Sequence, residues 1–131
     1  MNVSFEKGAP VIQAGGYRLA FQKDRPFALL SNADGDCFAE LFLLSSIHPL
    51  NGRDDTCEIG PWQVIENQDS VEVQLECKSS VWKHKTVRLR CYPQRFLYEV
   101  EVEGSGYLAE ATYLGGYYSG DLNWGSGFFW S

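Results

Sequence analysis

The chain contains 131 residues, of which 44% are hydrophobic, 15% aromatic and 21% charged. These values are typical of one folded domain with an ordinary core, so they exclude a disordered chain. The formal net charge of −6 argues against nucleic acid as a partner, because nucleic-acid binding relies on clustered basic side chains. No apolar run approaches the about 20 residues of a membrane span, and the start lacks the apolar stretch of a secretion signal, so we expect a cytoplasmic protein without membrane contact.

The cysteines and histidines show no metal-ligand spacing. The four cysteines are 20, 20 and 14 residues apart, so no Cys-x-x-Cys pair is present to seed a zinc or redox site. We predict reduced structural thiols and two solvated loop histidines, with no bound metal or cofactor. The residues concerned are Cys37, Cys57, Cys77, Cys91, His48 and His84.

Turn residues recur about every ten residues, and the segments between them alternate apolar and polar side chains. This pattern predicts an all-β antiparallel sandwich built from hairpins and a meander, with little or no helix. An early example places Tyr17, Leu19 and Phe21 on one face of a strand. Arg18 and Gln22 fall on the other face, which we expect to be solvated.

The dipeptide Asp34-Gly35 predicts a tight hairpin with a type I′ turn after the apolar run 27–30. The residues that follow, 37–44, have two interpretations. Asp36 could cap a helix whose apolar residues have helical spacing, or the segment could be the second strand of the hairpin. The strand is favoured because the turn pairs it directly with the preceding run.

Residues 45–61 are predicted to be the longest connection in the chain. They contain the turn-forming pairs His48-Pro49, Asn51-Gly52 and Gly60-Pro61. Loops of this length are functional in some proteins and only connections in others, and both interpretations stay open here.

Residues 62–103 have the clearest alternation and predict a four-stranded meander. The turn at Pro93-Gln94 sets the register of the last hairpin, and apolar matching sets that of the hairpin before it. A slip of one residue would move every apolar side chain to the wrong face. The expected pairs are Arg88 with Glu99, Thr86 with Glu101, Val73 with Leu89, Leu75 with Val87, Glu72 with Arg90, and Gln74 with Arg88.

The polar face of this meander becomes a ladder of acidic and basic side chains. One interpretation is that these groups bond sugar hydroxyls on a concave sheet. The other, which we favour, is an exposed set of cross-strand ion pairs that keeps one face of the sheet wet. We call this set the charge ladder, and its members are Glu72, Glu76, Arg88, Arg90, Glu99, Glu101 and Glu103.

The last part of the chain, residues 104–131, holds 7 of the 13 glycines and 8 of the 19 aromatic residues. Residues 107–113 still alternate as a strand, whereas residues 115–127 predict a looping segment that displays rings. Such rings could form a carbohydrate platform, because sugars stack their C–H patches on aromatic faces, or they could pack as core across the mouth of the sandwich. The candidate ligand-binding residues are Tyr113, Tyr117, Tyr118, Asp121, Asn123 and Trp124.

Three stretches taken together resemble the N-terminal β-sandwich domain that precedes the catalytic barrel in several glycoside hydrolase families, of the galactose-mutarotase-like supersandwich type. The resemblance implies a non-catalytic domain of a longer chain that packs on a barrel and lends it a loop, here residues 115–124. It does not carry over the histidine acid of sugar mutarotases, since those look about twice as long and neither histidine fits. The stretches are Tyr17–Phe21 with Asp34–Asp36, Val71–Leu75 to Val100–Gly104, and the glycine-aromatic segment.

The predicted function is therefore a non-catalytic, carbohydrate-associated module accessory to a glycoside hydrolase. A first alternative is a structural domain that docks on another domain or a second copy through Phe128, Phe129 and Trp130, an apolar run with no polar tail after it. A second is a small glycosidase or sugar isomerase, which needs two carboxylates about 5 or about 9 Å apart. Glu110 and Asp121 are the candidates near the aromatic residues.

Overall fold

The computed structural model describes residues 1–120, which contain twelve strands and no helix. This confirms the predicted all-β class. None of these residues forms a helix of the length and apolarity that a membrane span requires. The strands are β1 Asn2–Glu6, β2 Ala9–Gln13, β3 Tyr17–Phe21, β4 Phe27–Asn32, β5 Cys37–Phe42, β6 Ser46–Pro49, β7 Asp55–Glu66, β8 Val71–Ser79, β9 His84–Cys91, β10 Phe96–Glu103, β11 Leu108–Thr112 and β12 Tyr117–Tyr118.

The strands form two five-stranded sheets and one two-stranded sheet. The first sheet has the order β1-β2-β3-β4-β5, and the second has the order β10-β9-β8-β7-β12. Strands β6 and β11 pair with each other. Strands β12 and β7 pair in parallel, whereas the sequence predicted antiparallel pairs throughout. The parallel pair forms because β12 comes after a crossover from β11 and not after a hairpin turn from β7.

The two large sheets share one hydrophobic core. Alternate residues of β3 are buried and half-buried, so Tyr17, Leu19 and Phe21 face inward as predicted. Val73 and Leu89 lie in the same buried cluster from the second sheet. Burial of one face from each sheet is the arrangement expected of a sandwich.

Side chains also join the two sheets directly. The Nε1–H of Trp62 donates to the carbonyl oxygen of Gln22 at 2.9 Å, and the Trp62 ring lies 4.8 Å from that of Phe21. The hydroxyl of Tyr17 donates to the carbonyl oxygen of Tyr92 at 2.7 Å. These contacts satisfy polar groups at the ends of the core and so fix how the sheets are stacked.

The predicted registers of β8, β9 and β10 are confirmed. Arg90 contacts Glu72 at 2.8 Å and Glu99 at 3.2 Å on the outer face of the sheet. Arg88 lies 3.6 Å from Glu99 and 3.8 Å from Glu101. Five of the seven members of the charge ladder, Glu72, Arg88, Arg90, Glu99 and Glu101, therefore form a connected network of ion pairs.

The hairpin between β4 and β5 confirms the strand interpretation of Cys37–Phe42 but not its turn. A type I′ turn needs positive φ at both central residues, whereas only Gly35 has it, with φ 93°, and Asp34 does not. The Asn32 carbonyl accepts from the N–H of Gly35, and its side-chain Oδ1 accepts from those of Asp34 and Asp36. This side-chain cap favours the wider turn.

The prediction of one long connection over residues 45–61 is wrong. The segment contains β6 and the beginning of β7, separated by residues 50–54. Strand β6 exists because it pairs with β11, where Ile47 lies opposite Ala111. A partner so distant along the chain leaves no trace in the local turn pattern.

Candidate functional site

The predicted ligand-binding residues fall in three places. Tyr113, just after β11, is 64% exposed, and Tyr117 in β12 is 41% exposed. Tyr118 is only 6% exposed and belongs to the hydrophobic core, because successive side chains of a strand point to opposite sides. Residues outside the described range are Asp121, Asn123 and Trp124, together with Phe128, Phe129 and Trp130.

Tyr113 stands beside the outer edge of β10 and closes one side of a surface groove. The groove has a volume of about 560 Å³ and is lined by Tyr98, Glu99, Val100, Glu101 and Tyr113. We call it the Tyr113 groove. The structure thus brings one ring of the aromatic segment next to two carboxylates of the charge ladder, which sequence reasoning had treated as separate features.

The carboxylates of the Tyr113 groove are held in place but still accessible. Arg88 is within 4 Å of both Glu99 and Glu101, and its own side chain is largely covered. The Glu101 side chain is 71% exposed. A shared guanidinium restricts both carboxylates while leaving acceptor oxygens free for a ligand hydroxyl.

Tyr98 anchors the inner wall of the Tyr113 groove. Its hydroxyl donates to the carbonyl oxygen of Leu43 at 2.8 Å and lies 2.7 Å from the hydroxyl oxygen of Ser45. Burial raises the pKa of the Tyr98 hydroxyl well above its usual range, so the phenol stays neutral. This wall is therefore a fixed, uncharged surface beside the exposed carboxylate of Glu101.

Tyr117 has a different environment from Tyr113. The guanidinium carbon of Arg53 lies 4.3 Å from the centroid of the Tyr117 ring, and Arg53 is paired with Asp55 at 3.0 Å. The hydrogen bonds that Arg53 donates to the carboxylate of Asp55 raise the pKa of Arg53. The ring of His48 approaches Tyr117 edge-on at 5.8 Å. One face of Tyr117 is therefore already occupied by a cation, whereas Tyr113 borders an open groove.

The prediction of two solvated loop histidines is wrong for His48. This residue lies in β6, is half-buried, and its Nδ1 accepts a hydrogen bond from the backbone N–H of Asp54 at 2.9 Å. His84, the first residue of β9, is exposed. The turn-rich sequence around His48 hid the strand that orients its ring.

The four cysteines are free thiols, as predicted. Cys77 and Cys91 are buried, in agreement with their apolar phase, whereas Cys37 and Cys57 are exposed. In residues 1–120 no group of three or more His, Cys, Asp or Glu side chains is placed to hold a metal ion.

Sequence reasoning missed a buried ion pair. The ammonium of Lys85 lies 2.7 Å from Oδ2 of Asp54, and both side chains are fully buried. Oδ1 of Asp54 accepts from the hydroxyl of Ser79 at 2.6 Å, and Oδ2 also accepts from the N–H of Ile47 at 2.9 Å. One signal was present, since Lys85 has the same phase as the buried Val87 and so points inward.

The carboxylate pair of the catalytic alternative is only half described. Glu110 is exposed in β11, opposite His48 in β6, and Asp121 lies beyond the described residues. The distance between the carboxylates of Glu110 and Asp121, on which glycosidase chemistry depends, therefore involves a residue outside the described range, and this alternative stays a prediction.

Comparisons of this chain with protein-family models, with curated proteins and with solved structures find no match. The resemblance to accessory domains of glycoside hydrolases therefore stays a prediction.

Proposed function

We propose that this chain is a non-catalytic, carbohydrate-associated β-sandwich module, accessory to a glycoside hydrolase, and that it binds oligosaccharide in the Tyr113 groove. The observation that supports this most directly is the exposed ring of Tyr113 beside the accessible carboxylates of Glu99 and Glu101. An open aromatic face next to fixed acceptors is the combination that a sugar requires.

Each part of the groove has a separate task in this proposal. The C–H patch of a sugar ring stacks on Tyr113, where burial of apolar surface provides most of the attraction. Sugar hydroxyls donate to Glu99 and Glu101, which Arg88 keeps in position. Because the groove is open, we expect weak affinity.

The charges around the groove favour neutral or amino sugars over acidic ones. The charge ladder has five glutamates and two arginines, and the whole chain carries a formal charge of −6. A uronic acid or sulfated sugar would place another anion beside Glu101, and like charges at such distances repel. Acidic glycans should therefore bind least.

The proposal is tested by calorimetric titration with neutral, amino and acidic oligosaccharides. Tyr113→Ala should weaken binding of the preferred glycan roughly five- to tenfold, because a well-placed aromatic contact contributes about 1 kcal/mol. Tyr113→Phe should retain it. Tyr107→Ala is the matched control, since Tyr107 is 81% exposed and does not line the groove. This variant should bind the preferred glycan with the wild-type affinity.

Absence of binding across the whole panel would refute the proposal. Binding that Tyr113→Ala leaves intact but Trp124→Ala abolishes would move the site to the other part of the predicted platform. Equal losses in Tyr107→Ala and Tyr113→Ala would indicate that neither ring is specific.

A docking domain is the second candidate, and one surface favours it. Leu50, Tyr107 and Leu108 are all at least 65% exposed. Leu50 and Tyr107 line one surface groove, and Leu108 is paired with Pro49 of the same groove across β11 and β6. Monomers seldom expose a contiguous apolar patch. Sedimentation velocity over a wide concentration range tests self-association, which Leu108→Ser should weaken and which a monomer at every concentration would exclude.

A further inference from the structure

The segment that carries Tyr113, residues 113–119, is attached through its backbone and through the buried ring of Tyr118. Four of its N–H groups donate to side-chain or carbonyl oxygens in two short stretches of the chain, residues 44–46 and residue 56. The four donor–acceptor pairs are Leu114 N with Ser45 Oγ at 3.1 Å, Gly115 N with Leu44 O at 2.8 Å, Tyr117 N with Ser46 Oγ at 2.9 Å, and Ser119 N with Thr56 O at 3.0 Å.

Residues of the same two stretches, together with Asp54, surround the ammonium of Lys85. This group has three N–H donors, and all three are used. It donates to the carbonyl oxygen of Ser45, to Oδ2 of Asp54 at 2.7 Å, and to Oγ1 of Thr56 at 2.9 Å. A fully buried ammonium with every donor used permits only one arrangement of its acceptors.

Each acceptor of Lys85 is directly connected to one anchor of the segment. Ser45 and Thr56 are anchors themselves. Asp54 is linked to the third anchor, because the hydroxyl of Ser46 donates to the Asp54 carbonyl oxygen at 3.0 Å. A single buried cation is therefore connected to three of the four attachment points.

The fit of the segment against these anchors is close. Gly116 has φ 111°, and a Cβ at this position would overlap the side chain of Ser46. A glycine is therefore required where the chain passes over Ser46. A shift of the Ser46 backbone would displace the segment directly.

We infer that Lys85 is a positioning residue for the Tyr113 groove. It holds Ser45, Asp54 and Thr56 in the one arrangement that anchors residues 113–119, and so sets where the ring of Tyr113 stands relative to β10. Buried ion pairs seldom add stability over apolar replacements of the same size, and in some proteins their role is to specify one arrangement of their surroundings. The link to ligand binding rests on the proposed function, but the link to the segment does not.

The first test is amide hydrogen exchange under native conditions in Lys85→Met. The N–H groups of Leu114, Tyr117 and Ser119 should exchange at least tenfold faster relative to core amides of β3, a strand of the other sheet. The matched control is Val73→Ala, a fully buried substitution in β8 that lies outside these contacts. It should accelerate the amides that exchange through global unfolding, so the ratio of segment to core should not rise above its wild-type value.

Two milder substitutions, both at Thr56, keep the inference testable if Lys85→Met does not fold. Thr56→Val removes the hydroxyl that accepts from Lys85 at nearly constant volume, and Thr56→Ser retains it. The segment amides should exchange faster in Thr56→Val and near the wild-type rate in Thr56→Ser. Unchanged ratios in both Thr56→Val and Lys85→Met would overturn the inference.

Oligosaccharide affinity gives the second readout, at a temperature where every variant is folded. Lys85→Met should weaken binding about tenfold, while Val73→Ala retains wild-type affinity. If the wild-type chain binds no glycan, the proposed function fails, and the exchange ratios still decide the role of Lys85. If glycan binds equally to wild type and Lys85→Met, the positioning role fails while the proposed function stands.

Discussion

Lys85 and Asp54 form an ion pair of 2.7 Å between two side chains that have no exposed surface. The pair joins β9 to the short connection before β7. Every donor of the ammonium and both oxygens of the carboxylate have partners, so neither charge is left uncompensated within the core.

Removing one partner of this pair should be strongly destabilising. Lys85→Met leaves the Asp54 carboxylate buried without its counterion, and we expect a loss of about 3–5 kcal/mol in the free energy of unfolding, measured by urea denaturation. Lys83→Met, at an exposed position two residues earlier, should change stability by less than about 0.5 kcal/mol. The double variant Lys85→Met/Asp54→Leu should recover part of the loss, and its failure to do so would show that the surrounding hydrogen bonds matter more than the charges.

Two of the four cysteines should react with thiol reagents in the native protein. Burial raises the pKa of Cys77 to about 12 and that of Cys91 to about 11, so neither forms a thiolate at neutral pH. Cys37 and Cys57 are exposed. Mass spectrometry after iodoacetamide treatment should show two alkyl groups in buffer and four in denaturant, and labelling of Cys77 in buffer would contradict its burial.

The charge ladder should make stability depend on pH through Glu72. The hydrogen bond from Arg90 lowers the pKa of the Glu72 carboxyl. Because the folded-state pKa is the lower one, this contribution is complete above the unfolded-state pKa of about 4.3 and is lost as the pH falls through the folded-state pKa. Arg90→Met should raise the pKa of Glu72, measured from carboxyl carbon shifts by NMR.

Lys78→Met is the control for this titration, since Lys78 is paired with Glu58 at 3.1 Å and does not touch Glu72. It should leave the pKa of Glu72 where it is in the wild type. If both variants shift that pKa equally, the general charge of the sheet is responsible rather than the Arg90 hydrogen bond.

Two glycines with positive φ should respond differently to alanine. Gly35 has φ 93° and open space around it, so Gly35→Ala should cost only the strain of the left-handed backbone, about 1–2 kcal/mol. Gly116→Ala adds an overlap with the side chain of Ser46 and should cost more. Thermal denaturation compares the two, with a decrease of roughly 4 °C in Tm for each kcal/mol. Equal decreases would show that the segment near Ser46 can move aside.

The registers of the meander could be predicted because each hairpin is a local structure. Short turns connect β8 to β9 and β9 to β10, so apolar matching within about 20 residues was enough to pair Val73 with Leu89. Strand β1 was not predicted, although Val3 and Phe5 alternate with polar residues along it; in the structure Val3 is half-buried and Phe5 is exposed.

Alternation of apolar and polar residues and the turns between neighbouring strands were enough to predict the all-β class, the buried faces of the strands and the charge ladder. The position of Tyr113 beside Glu99 and Glu101, and the contact of Lys85 with Asp54, depend instead on how distant parts of the chain pack. Tyr113 follows β11, which is exposed along its length and pairs with the distant β6 without a connecting turn, and Lys85 meets Asp54 where β9 and the connection before β7 are packed together. Contacts of that range are selected by packing of the whole chain, so no local pattern encodes them.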